Sequence, residues 1–194
     1  MGSKKGSSFD WKSLMNSWVY VGCAWVLACV LQIVAVATPF WGKATYEDDK
    51  QYTEGLWQHC LAGNCTKNLL TRDDPGNPGF QVQSLELPGL VLIVAMACHW
   101  WMAMTREIRS QIQDWIFAVL AILGDCFILA GIAIYGQKDV FLGIPPEGVE
   151  SISLHASFII ACIVLIICIL STVAGIYLTY QYHITRRPPW KYHP

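Results

Sequence analysis

The sequence predicts an all-α transmembrane protein, a left-handed bundle of four helices, and two observations support this fold class. Of the 194 residues, 54% are hydrophobic and only 14% are charged, which lies beyond the usual balance of soluble proteins. Four apolar stretches each come close to the roughly 20 residues that a helix needs to cross a bilayer. None of them alternates apolar and polar residues as barrel strands do, and a backbone in lipid must satisfy its own hydrogen bonds. The four spans are therefore predicted to be helices.

The spans divide the chain into two terminal segments, a long and a short loop on one side, and a very short loop on the other. We place the spans at residues 17–38, 87–104, 115–135 and 156–180. The remaining segments are then 1–16, 39–86, 105–114, 136–155 and 181–194. An alternative is a cleaved signal peptide, because Ala35-Val36-Ala37 resembles a small-residue cleavage site. The apolar run before it is longer than a typical signal sequence, so we treat it as a span.

Basic residues predict the orientation. One side, which holds both ends and the loop 105–114, carries eight cations against three carboxylates, and the other side carries many carboxylates. By the positive-inside rule, both termini lie in the cytoplasm, and residues 39–86 and 136–155 lie outside the cell. The eight cations are Lys4, Lys5, Lys12, Arg106, Arg109, Arg186, Arg187 and Lys191.

Cysteine placement is the most informative local signal. Six of the eight cysteines fall within the predicted spans, where a thiol behaves as a small apolar group. Cys60 and Cys65 alone lie in an outer loop, in an oxidising compartment. The four residues between them include Gly63 and Asn64, which both tolerate a positive φ. The spacing therefore predicts a disulfide-closed hairpin, and a metal site is not expected because His59 is the only further ligand nearby.

Trp41, Gly55-Leu56-Trp57 and the two cysteines, placed after the first of four spans, resemble the claudin superfamily. That superfamily includes claudins, peripheral-myelin and epithelial-membrane proteins, the lens fibre membrane protein and stargazin-like channel subunits. The resemblance implies a small extracellular antiparallel β-sheet, completed by a strand from the second outer loop and seated on the bundle by Trp57. Four residues between the cysteines are closer to the epithelial-membrane and lens-fibre branch than to claudins, which leaves the branch open.

Two functions follow from the resemblance. The first is a plasma-membrane protein of cell–cell junctions that self-associates within one membrane and across to the opposite cell, and that could contribute to a paracellular barrier. The second is an auxiliary subunit of an ion channel or receptor. Both have membrane lipid as their surroundings and need no cofactor or small-molecule substrate. A weaker third idea is a membrane-organising or trafficking protein of the myelin branch.

Asp125 is the sharpest polar outlier within a predicted span. A carboxylate at the bilayer centre costs about 2.5–3.5 kcal/mol on insertion scales, so it is expected to face the bundle or to be protonated. It could contact a partner channel or line an ion path. The commoner alternative is a hydrogen bond to a neighbouring helix, through Ser or Thr for example.

The first outer loop carries two further candidate features. Asn64-Cys65-Thr66 is a glycosylation sequon, although a disulfide at its middle residue would hinder modification of Asn64. Its acidic residues could line a paracellular pore that favours cations, or could form an ordinary solvated face. These residues are Glu47, Asp48, Asp49, Glu54, Asp73 and Asp74.

Enzymatic and nucleic-acid functions find no support in the sequence. It contains no phosphate-binding glycine loop, no nucleophile elbow and no paired metal ligands at helical spacing, so we expect no catalytic residues. A net charge of −1 without a basic run interleaved with aromatics does not indicate nucleic-acid binding.

Overall fold

The structure, a computed structural model, describes residues 11–46, 50–67, 78–105, 110–136 and 149–185. These residues form four long helices and five short strands. The helices are α1 (Trp11–Ala37), α2 (Pro78–Thr105), α3 (Gln111–Gly136) and α4 (Ala156–Thr185). All four are long and apolar enough to cross a membrane, judged by length and composition. The predicted four-helix architecture is confirmed.

The helices form a closed bundle in which each one packs against the next along the chain and α1 packs against α4. Small buried residues such as Ala28, Ala121 and Ala161 allow the helices to approach closely. The outward faces are also apolar, with Val91 and Leu170 among the exposed residues. A helix that is hydrophobic all round is suited to lipid on its outer face.

A five-stranded antiparallel sheet lies at one end of the bundle, which we call the sheet end. In spatial order its strands are β4-β3-β2-β1-β5, so the strand that precedes α4 pairs with the strand that follows α1. The sheet with a final strand from the second loop is therefore confirmed. The strands are β1 (Gly42–Tyr46), β2 (Gln51–Glu54), β3 (Gln58–Leu61), β4 (Asn64–Lys67) and β5 (Val149–Leu154).

Helix α2 begins well before the second predicted span. Its first residue is Pro78, where proline is tolerated because the first helical amides lack intrahelical partners. Residues 78–86, which the sequence analysis placed in the first outer loop, are therefore helical. The helix also continues through Pro88, although proline removes one backbone hydrogen bond.

The membrane limits and the orientation of the chain stay predictions. Of the cations that predict the orientation, only Lys12 lies in a described helix. The other seven lie outside the described residues, as do segments 1–10 and 186–194.

Candidate functional site

The contact between sheet and bundle, here called the sheet seat, is built around Trp41, Gly55, Leu56 and Gln83. Trp41 follows α1 and is fully buried. Its indole Nε1 donates a 2.6 Å hydrogen bond to the carbonyl of Ala35, one of the α1 carbonyls that lack a helical partner. Its ring packs edge-on against Tyr135 of α3 and Phe158 of α4, with centroids 5.1 and 6.1 Å away. One side chain therefore joins three helices beneath the sheet.

The backbone of Trp41 also extends the sheet on both sides. Its amide donates to the carbonyl of Glu54 at 2.8 Å, and its carbonyl accepts from the amide of His155 at 2.9 Å. Since Glu54 ends β2 and His155 follows β5, these bonds continue the pairing of β1 with both neighbours. The chain is thus fixed where it leaves α1 and where it enters α4.

Gly55 allows the closest approach of the motif to the end of α1. A Cβ at this position would lie 2.5 Å from the Thr38 carbonyl oxygen and would also meet the Cα of Pro39. Both are backbone atoms, which cannot move aside as a flexible side chain can. A residue without a side chain is therefore needed here.

Leu56 connects the motif to α2. Its side chain is buried in the core cluster, and its carbonyl accepts a hydrogen bond from the buried side-chain amide of Gln83. Because Gln83 lies in the early turns of α2, the second helix is held against the loop that precedes it. This bond helps to hold the part of α2 that precedes the predicted span.

The role that the family resemblance gave to Trp57, packing the sheet onto the bundle at the membrane surface, stays a prediction. Its side chain is 39% exposed, whereas that of Leu56 next to it is buried. Partial exposure is compatible with an aromatic ring that lies where the bundle meets the lipid headgroups. Leu56 is the residue of the motif that enters the core cluster.

The predicted disulfide is confirmed, since Cys60 and Cys65 are bonded and lie directly opposite each other in β3 and β4. The two-residue turn between these strands consists of Ala62 and Gly63, with φ values of 48° and 84°. Two successive positive φ angles are typical of the type I′ hairpin turn. Of the two residues that tolerate a positive φ, Gly63 adopts one, whereas Asn64 lies in β4.

The sequon lies at the outer edge of this hairpin. Asn64 is exposed at the start of β4, next to the disulfide-bonded Cys65. The hydroxyl of Thr66 lies 2.5 Å from Nε2 of His59, whose ring stacks on Tyr52. Burial, and then the charges of Glu54 and Tyr46, raise the pKa of Tyr52, so its phenol stays protonated. Glycosylation of Asn64 stays a prediction.

The predicted acidic pore cluster is not supported at Glu54. That side chain is only 3% exposed and interacts electrostatically with Tyr52 and Tyr135, so it is neither a solvated nor a pore-lining charge. The strand pattern explains this, because Tyr52 and Glu54 are two residues apart in β2 and lie on its buried face. The other five carboxylates lie outside the described residues: Glu47, Asp48, Asp49, Asp73 and Asp74.

Asp125 has a hydrogen-bond partner within the chain. Its Oδ2 accepts a 2.9 Å hydrogen bond from the hydroxyl of Thr172 on α4. This is the internal contact that the sequence analysis gave as the commoner alternative. It joins α3 to α4 and requires no external partner.

A second polar cluster, at the end of the bundle opposite the sheet, was missed in the sequence analysis. Asp114 in the first turn of α3 is buried, with one oxygen 3.0 Å from Nε2 of His183 on α4 and the other 3.5 Å from Nε2 of His99 on α2. The His99 ring stacks on Phe117 with centroids 3.8 Å apart. Topology is the signal that could have found this cluster, because all three polar residues sit at helix ends on the same side.

Neither the Asp125–Thr172 pair nor the cluster around Asp114 is arranged as a metal centre. Across the described ranges, no group of three or more His, Cys, Asp or Glu side chains is positioned to hold a metal ion. The expected absence of metals, cofactors and catalytic residues stays a prediction. The sheet seat holds the small sheet against all four helices.

The comparison with known families agrees with this geometry. The model of the PMP-22/EMP/MP20/Claudin family matches residues 14–177, which is well over half of the chain. The matched region begins in α1, ends in α4 and includes the whole sheet seat. No curated protein matches the sequence closely enough to be compared with it.

Proposed function

We propose that this chain, which belongs to the PMP-22/EMP/MP20/Claudin family, is a non-enzymatic protein of cell–cell junctions in the plasma membrane. Both termini lie in the cytoplasm and the sheet end lies outside the cell. The molecules associate side by side in one membrane and contact those of the opposite cell through the sheet.

The disulfide-closed hairpin tip is the observation that carries this proposal. Leu61 is 43% exposed at the tip, while Cys60 next to it is buried and bonded to Cys65. An apolar side chain held on a rigid turn loses little conformational freedom when it enters a partner's pocket. Burial of apolar surface is the main favourable contribution to most protein–protein association. The tip is therefore suited to contact with another protein.

The free edge of the sheet supports lateral association. Among the described strands, β4 pairs only with β3 and forms one edge of the sheet. Its residues 64–66 are exposed. Unpaired strand edges present backbone donors and acceptors to a neighbouring strand. A second copy in the same membrane could therefore extend the sheet across this edge.

Expression in non-adherent cells tests the proposal. Cells that express the fluorescently tagged protein are mixed, and the fluorescence at contacts between two expressing cells is divided by that at free membrane. We expect a clear enrichment for the unmodified protein and its loss in Leu61→Asp. Ala62→Asp is the matched control, because it adds the same charge one residue away and Asp tolerates the left-handed conformation. Equal fluorescence at contacts and free membrane for the unmodified protein would contradict the proposal.

The alternative function, an auxiliary subunit of an ion channel or receptor, loses one of its supports. It draws in part on Asp125 as a contact for a partner, and that carboxyl is bound by Thr172 within the chain. A cation-favouring paracellular pore is an extension of the junction proposal. It would have to depend on the outer-loop carboxylates other than Glu54.

A further inference from the structure

A buried acid and a buried amide are in contact in the half of the bundle nearer the sheet end. Gln32 of α1 and Glu86 of α2 are both 0% exposed. Nε2 of Gln32 donates a 2.5 Å hydrogen bond to Oε2 of Glu86. Oε1 of Gln32 and Oε1 of Glu86 have no hydrogen-bond partner. Two acceptor oxygens, one on each side chain, are thus left without a donor.

The other two helices close the site around Glu86. On α3, a Cβ at Gly131 would meet Oε1 of Glu86, so the carboxyl group packs directly against the backbone of that helix. On α4, Cys162 is the titratable group that interacts electrostatically with Glu86. No basic side chain in the described ranges forms an ion pair with this carboxyl group.

A charged carboxylate is a poor fit to these surroundings. Moving a carboxylate out of water is costly unless a cation or several donors compensate, and Gln32 supplies a single donor. Two lone oxygens would each add the cost of an unsatisfied buried acceptor. One added proton changes this, because a carboxylic acid has an O–H donor as well as an acceptor.

We propose that Glu86 is held as a neutral carboxylic acid whose hydroxyl donates to Oε1 of Gln32. The amide of Gln32 donates to one oxygen of Glu86 and the acid returns a hydrogen bond from the other, so both unpartnered oxygens are used. The acid–amide pair joins α1 to α2 one turn from Gln83, whose side chain holds Leu56. This pairing near the sheet seat is complete only while Glu86 keeps its proton.

Infrared spectroscopy of the full-length protein in lipid at neutral pH tests the protonation state. A protonated carboxyl group has a C=O stretching band that is separate from the carboxylate bands. We expect this band in the unmodified protein, and we expect it to shift when glutamate is labelled with carbon-13 at the side-chain carboxyl. Because no substitution is needed, the test does not depend on a variant folding. Absence of any label-sensitive acid band would overturn the proposal.

Substitutions then assign the band. Glu86→Gln should remove the label-sensitive band of Glu86, and the matched control Glu54→Gln, which removes the other buried glutamate of the described residues, should retain it. The exchange variant Gln32→Glu with Glu86→Gln keeps one acid and one amide, so it should fold and show the band again. A label-sensitive band of unchanged intensity in Glu86→Gln, or an exchange variant that folds with only carboxylate bands, would contradict the proposed pair.

Discussion

Replacement of Gly55 by alanine tests the account of the sheet seat at its tightest point. The added methyl group would lie 2.5 Å from the carbonyl oxygen of Thr38 and would overlap the Cα of Pro39. Overpacking costs typically about 1–3 kcal/mol, and occasionally more. Both obstructing groups are backbone, so we expect the upper end, about 3 kcal/mol. That loss would lower the folded-to-unfolded ratio by roughly a hundredfold.

Gly63→Ala is the matched control, because it adds the same methyl group in a hairpin turn of the same sheet. Gly63 has no neighbour within 4 Å of the added Cβ, but its φ of +84° makes alanine unfavourable by about 1–2 kcal/mol. Thermal unfolding of both variants in the same detergent, followed by circular dichroism, measures the difference. We expect the melting temperature of Gly55→Ala to fall further. If Gly55→Ala were as stable as Gly63→Ala, the steric account of the motif would be refuted.

Three further predictions concern single contacts. Trp41→Phe keeps an aromatic ring but removes the Nε1 donor of the Ala35 carbonyl and part of a fully buried side chain. We expect a loss of at least about 1–3 kcal/mol in detergent unfolding, and an unchanged melting temperature would contradict this. Ala62→Gly relieves a positive φ of 48° in an exposed turn and should stabilise the chain by roughly 0.5–1 kcal/mol; destabilisation would argue against the turn. Asp114→Ala removes the acceptor of His183 and should destabilise by about 1–3 kcal/mol, more than Asp114→Asn, which keeps an oxygen; equal losses would count against the hydrogen bond.

The helical architecture could be predicted from the sequence because it depends on segment length and hydrophobicity, which are local properties. The four long apolar stretches and the lack of alternation were sufficient. The disulfide was equally predictable, because Cys60 and Cys65 are the two cysteines outside the apolar stretches. The sheet was accessible only through resemblance, since its strands are four to six residues long and β1 pairs with a strand more than 100 residues away.

Side-chain roles at the sheet seat could not be read from the motif. Which residue of the motif enters the core cluster depends on how the motif packs against the bundle, and this contact is not local in sequence. The burial of Glu54 depends on which face of β2 is buried. Glu86 was placed in a loop because it precedes the most apolar part of its segment, yet the helix begins eight residues earlier at Pro78.

Identification of what the protein assembles with in its native membrane tests the central claim of self-association most directly. The endogenous protein is to be purified under mild detergent, and the subunit ratio of the assemblies determined by quantitative mass spectrometry. We predict assemblies that contain several copies of this chain and no other membrane protein in a fixed ratio. A pore-forming channel or a receptor present in a fixed stoichiometric ratio to a single copy of the chain would contradict the junction proposal.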